Sequence, residues 1–198
     1  MFRLNRDAGW GVKMQEKLDR LEVLEMYIIL LLGVLDRPIP SKEHLHKELF
    51  VLSRSNPKVG EILSFEKHYK GPYSPDVAEI MRSPLYYREA FYFDKKGRCH
   101  LTDEGRKIYE NIVREYGKNE KFQAFLAAMK MIRELYERLS VDELLFLIYI
   151  SYPEYREKSL FFEKLLSRKR ELAESLWKKG LITEKRFKEI VGNDNSSK

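Results

Sequence analysis

Only one cysteine, Cys99, stands among the 198 residues, so no intrachain disulfide can form and nothing in the cysteine usage calls for an oxidising compartment. Long hydrophobic runs are also missing. The longest near-continuous one, Met26 to Leu35, is about ten residues, whereas a bilayer-spanning helix needs about 20. No apolar stretch with a small-residue cleavage site follows Arg3, Arg6 and Asp7, which speaks against a secretory leader. Glycine and proline, 10 and 7 residues, are too few for a fibrous or low-complexity chain. The expectation is a soluble cytoplasmic protein without membrane contact.

Charge is plentiful. Lys and Arg number 37 against 31 Asp and Glu, a formal excess of +6, and charged residues make up 34% of the chain. That exceeds the roughly one quarter usual for globular proteins, so charge pairs must cover much of the surface. High Lys and Glu beside little Gln and Cys also fits a heat-adapted composition. With 43% hydrophobic and 13% aromatic residues the chain can bury a real core.

Residues 1–20 read as an N-terminal arm, with Gly9 and Gly11 and no apolar period. From Leu21, apolar residues recur at three and four (Leu24, Ile28, Leu31, Leu32, Leu35), which predicts a helix that stops before Pro38-Ile39-Pro40. Ser41 is placed to cap a second helix through Leu52, and Asn56-Pro57 punctuates it. Gly71-Pro72-Tyr73-Ser74-Pro75 is a turn that suppresses both helix and strand, after which Ser74 and Pro75 open a third helix ending near Ser83-Pro84. The period then changes. Residues 90–94 and 98–102 are β-prone runs around Lys95-Lys96-Gly97, a hairpin signal, and Thr102 opens another helix.

The rest is helical. A stripe from Phe122 to Leu139 is followed by Leu144 to Tyr152, apolar on nearly every face and hence buried. An amphipathic stretch runs from Leu160 to Trp177, and Thr183 caps a last helix. The predicted fold class is mainly α: a winged helix-turn-helix domain with a small β-hairpin wing over 21–118, a C-terminal helical part over 119–191 and a polar tail over 192–198.

Ser41 through Leu52, the element Tyr69-Lys70-Gly71-Pro72-Tyr73-Ser74 and Leu101-Thr102-Asp103-Glu104-Gly105 together resemble the YwgA-like archaeal and bacterial proteins. The Panacea antitoxin domain is a more distant likeness. Two departures stand out: His46 replaces the family's usual Gln, and Lys70 is inserted between Tyr69 and Gly71. Over residues 21–116 the resemblance implies a winged-helix module, active in DNA binding or toxin neutralisation. It supplies no catalytic residues.

Two sets of cations are candidate phosphate contacts for duplex DNA. Lys95, Lys96 and Arg98 form the hairpin tip, and Arg168, Lys169 and Arg170 lie within residues 158–188, which carry ten cations against four anions. Either set can also be a solvated charged face. The reading segment 75–103 holds five cations and five anions and sums to zero, which disfavours phosphate. Tyr69, Lys70, Tyr73 and Ser74 are the candidate contacts for a protein partner instead. The stripe from Phe122 to Leu139 suits a homodimer and intrachain packing equally well.

No catalytic, metal or cofactor motif is legible, so a non-enzyme is expected. His44 and His46 are two apart on a helix and face different sides, and Cys99 and His100 are strand neighbours on opposite faces.

Overall fold

A computed structural model describes residues 20–192. The expected arm over 1–20 and tail over 192–198 lie, apart from Arg20 and Gly192, outside the described residues. The chain is mainly helical, with ten α-helices and two small antiparallel two-stranded sheets among the described residues. None of these helices is long and apolar enough to cross a membrane. The described residues form two compact units, 20–65 with 74–137 and 66–73 with 138–192. The division therefore falls at 137/138, not at 118/119, and residues 66–73 leave the N-terminal half for the second unit.

The first unit contains α1 (Arg20–Gly33), α2 (Lys42–Ser55), α3 (Pro57–Ile62), α4 (Pro75–Arg82), α5 (Asp103–Tyr116) and α6 (Glu120–Tyr136). Its hairpin pairs β3 (Phe91–Phe93) with β4 (Cys99–Leu101), Tyr92 opposite His100. Ser41, Asn56, Ser74, Thr102 and Asn119 each accept a first-turn N–H with the side chain, which sets where α2 to α6 begin. The core is built around α1, buried without interruption from Val23 to Leu32 because α4, α5, α6 and β4 all pack on it. The ring of Tyr109 on α5 occupies the place a Cβ of Gly33 would take, so only glycine permits this approach.

Phe122, Phe125, Met129 and Ile132 of α6 enter that same core, α6 packing on α1 and α2. Tyr27 and Phe125 meet with ring centroids 5.4 Å apart. These four residues of the stripe are packed within the chain. Between α1 and α2, Ile39 joins the hairpin as a one-residue bridge: Ile39 N donates to Cys99 O and Cys99 N to Ile39 O, both at 2.9 Å.

In the second unit, β1 (Glu66–His68) and β2 (Gly71–Tyr73) form a tight hairpin that packs on α7 (Val141–Ser151) and a 3-10 turn, Pro153–Tyr155. The turn residues do not suppress strand here. Gly71 adopts φ 78°, open to glycine, and Pro72 pairs with Lys67 between the two pairs that exchange ladder bonds, so its missing N–H costs nothing. The predicted helix from Leu160 to Trp177 is broken into α8 (Phe162–Leu166) and α9 (Lys169–Lys178). α10 (Glu184–Gly192) has no buried residue and leans on α9 through a Trp177–Phe187 stack, 5.3 Å between centroids.

Candidate functional site

The α4–hairpin segment carries the first set of candidate cations. Burial of Val77 and Ile80 turns Glu79 and Arg82 of α4 outward. The loop that follows is held to α1 by Glu25, whose fully buried carboxylate accepts N–H bonds from Leu85, Tyr86 and Tyr87 at 2.6, 3.1 and 2.7 Å. Three such bonds replace the carboxylate's lost hydration and fix the path from α4 to β3. On the hairpin, Tyr92 is 52% exposed and stacks on His100.

Asp94 organises the hairpin tip. Its carboxylate accepts from the Lys96 and Arg98 backbone N–H groups at 2.9 and 3.0 Å, from Arg98 Nε at 2.7 Å and from His100 Nε2 at 3.0 Å. Partial desolvation would push this carboxyl up, but the bonds from Arg98, His100 and Lys96 hold it well below the usual carboxylate range. Arg98 is therefore committed to Asp94. Lys95 and Lys96 are exposed and have no carboxylate partner among the described residues.

Ion pairing also changes the zero charge sum of residues 75–103. Asp76 pairs with Arg20, and Asp103 with Arg106 at 2.8 Å, both cations lying outside the segment. Asp94 and Arg98 neutralise each other. What remains exposed without an ion-pair partner among the described residues is Arg82, Arg88, Lys95 and Lys96 against Glu79 and Glu89. Arg82 and Arg88 are not distinguished in the sequence, because only the fold reveals which charges are already matched.

The second set fares differently. Arg168 pairs with Asp142 at 2.5 Å and with Glu171 at 2.7 Å, so it fastens α7 to the start of α9. Lys169 is half-buried, and of the three only Arg170 is exposed. Lys178, Lys179, Arg186 and Lys188 are likewise engaged by Glu174, Glu143, Glu189 and Glu184. The stretch is also broken into two helices, and Arg168 is held by two carboxylates while Arg170 is exposed.

The partner-binding candidates split. Ser74 is fully buried, and its Oγ caps α4 while its carbonyl lies 3.3 Å from His46 Nε2, so it has no surface to offer. Tyr69 is 44% exposed at the tip of the β1–β2 hairpin. Its neighbour His68 stacks on Tyr73, 4.6 Å between centroids, and the Lys70 ammonium sits 6.0 Å from the Phe161 ring. Leu160, 80% exposed, donates its N–H to Tyr69 O at 3.2 Å and extends the apolar tip. Nothing in local sequence announced Leu160, which lies 91 residues downstream of Tyr69.

Reactive side chains are tucked away. Cys99 is buried and its thiol is pushed up to about 12 by that burial, unsuited to nucleophilic work. Burial likewise lowers His46 to about 4, leaving a neutral ring between the carbonyls of Lys42 and Ser74. Among the described residues no three His, Cys, Asp or Glu side chains gather as a metal site would require. Set against family models, curated proteins and solved structures, the chain finds no match.

Proposed function

We propose that the protein is a non-enzymatic winged-helix regulatory module that contacts duplex DNA through α4 and the β3–β4 hairpin. The observation that carries this reading is the bridge from Ile39 into β4, because it places a strand residue between α1 and α2 and pairs it with the second strand of the hairpin. Helix, strand, two helices and a hairpin in that order and pairing are what a winged helix-turn-helix calls for, which supports the reading. α4 then stands as the reading helix and β3–β4 as the wing. One departure is that α3 and the 66–73 hairpin are inserted between α2 and α4, in place of a tight turn.

The surviving cations support phosphate contact: Arg82, Arg88, Lys95 and Lys96 are the groups free to release counterions. Fluorescence anisotropy with a labelled duplex, from low to physiological salt, tests it. Affinity that falls steeply with salt, and falls further in the Lys95→Ala/Lys96→Ala variant, is expected. Absence of binding at low salt by folded protein ends this reading.

One observation favours a second reading, a protein-interaction adaptor or antitoxin-like module. Tyr69 and Leu160 expose apolar surface side by side, joined by a backbone hydrogen bond, and such paired exposure at a hairpin tip suits a protein contact. A stoichiometric protein captured from the native cell, insensitive to nuclease and lost in Tyr69→Ser/Leu160→Ser, is the outcome that distinguishes it.

A further inference from the structure

The second unit contains a cleft of about 450 Å³, within the roughly 300–1,000 Å³ range of small-molecule sites. Its apolar wall is made by Phe146 and Ile150 of α7, Phe162 and Leu166 of α8, and Ile190 of α10. Three cations, Arg156, Lys169 and Arg186, line it with a single carboxylate, Glu189. The lining is thus apolar with a surplus of two positive charges.

The cations are not equivalent. Arg186 is divided between Glu189, at 3.0 Å, and the carbonyl of Ile150, also at 3.0 Å. Arg156 has no carboxylate partner among the described residues. Its Nε donates to Tyr149 O at 2.7 Å and its guanidinium carbon lies 5.1 Å from the centre of the Phe162 ring. Those two contacts orient the guanidinium and leave both Nη groups without a hydrogen bond to a described residue. A half-buried arginine so held, beside an apolar wall, is arranged for a planar anion that accepts two parallel N–H bonds.

We propose that this cleft binds a small amphipathic carboxylate, its head on Arg156 with Lys169 and Arg186 adding field, and its hydrocarbon body against Phe146, Phe162 and Ile190. The match is one of charge and polarity: a guanidinium with no carboxylate partner among the described residues favours an anion, and the apolar wall favours one with a hydrocarbon body. This inference stands whether or not the protein binds DNA.

Isothermal titration of the full chain with decanoate, and with decanol as the uncharged analogue, tests it. Decanoate is expected to bind saturably, one per chain, below ~1 mM, and decanol at least about tenfold more weakly. Arg156→Met, which keeps the stem on Phe162, should lose the preference for decanoate over decanol. Leu166→Trp alters an exposed rim position and should block both ligands by filling the cleft, so it decides the matter if the Arg156 variant fails to fold. Decanoate binding no better than decanol, or undiminished binding in Leu166→Trp, overturns the proposal.

Discussion

Arg133 on α6 donates through Nη1 to Glu48 Oε1 on α2 at 3.3 Å, with both side chains fully buried. Arg133 Nη2 reaches on to the carbonyls of Arg37 and Pro38 at 2.9 and 3.3 Å, so one guanidinium ties together two helices and the α1–α2 connection that carries Ile39. Glu48 Oε2 and Arg133 Nε have no hydrogen-bond partner among the described residues. Removing Glu48 leaves the Arg133 guanidinium, which cannot neutralise itself, buried without that partner. Glu48→Leu is expected to destabilise the fold by about 3–5 kcal/mol, and Arg133→Met added to it to recover most of that loss, by chemical denaturation.

The same pair sets a pH dependence. Burial raises the Glu48 carboxyl from 4.5 to about 8, outweighing the attraction of Arg133. A raised value means the native state holds the proton more tightly than the unfolded chain does. The resulting stability is full below the ordinary value of 4.5 and is lost as pH climbs through about 8. Unfolding free energy should therefore decline from pH 5 to pH 8 in the natural protein, with Glu48→Gln lacking that component. Parallel slopes in the two proteins would count against it.

Glu143 on α7 works in the opposite direction. Partial desolvation pushes it up, but Lys179, at 2.7 Å, together with Ser175 and the Ser140 cap, lowers it to about 2. Its stabilisation is present above the ordinary value of 4.5 and disappears as pH falls toward 2. Glu143→Gln should be less stable than the natural protein at pH 7 and differ little at pH 2, measured by circular dichroism during acid titration.

If the β3–β4 hairpin meets DNA, the charges should separate by their pairing. Lys95→Ala/Lys96→Ala is expected to reduce the slope of log K against log salt by about 2, because two phosphate contacts vanish. Asp94→Asn frees Arg98 and removes an anion, so it should strengthen binding. Arg168→Ala should leave DNA affinity unchanged while lowering thermal stability, since Arg168 serves Asp142 and Glu171.

Gly33→Ala forces the Tyr109 ring to move from where it touches α1. Overpacking of this kind costs roughly 1–3 kcal/mol, and Tyr109→Ala introduced alongside should relieve part of it. A chemical-denaturation midpoint for the single variant equal to that of the natural protein would contradict the reading of this contact.

Much of the local structure was legible in the residues themselves. Capping is a matter of one side chain and the next turn, so Ser41, Ser74 and Thr102 announced their helices. The β3–β4 hairpin followed from a change of period around Gly97. The hairpin at 66–73 did not, because three-residue strands containing Gly71 and Pro72 have little intrinsic preference and rest on α7 for their pairing.

The sequence by itself therefore determined where several helices begin, their capping and the net charge, all properties of neighbours along the chain. Tertiary structure alone decided which charges remain available. Among the described residues, Arg98 and Arg168 are held by carboxylates while Arg82, Arg88, Lys95 and Lys96 are left over, and Arg156 stands oriented without an acidic partner. Ion pairing depends on distances of a few ångströms between residues as far apart in sequence as Arg20 and Asp76, and counting charges along a chain carries no such distances.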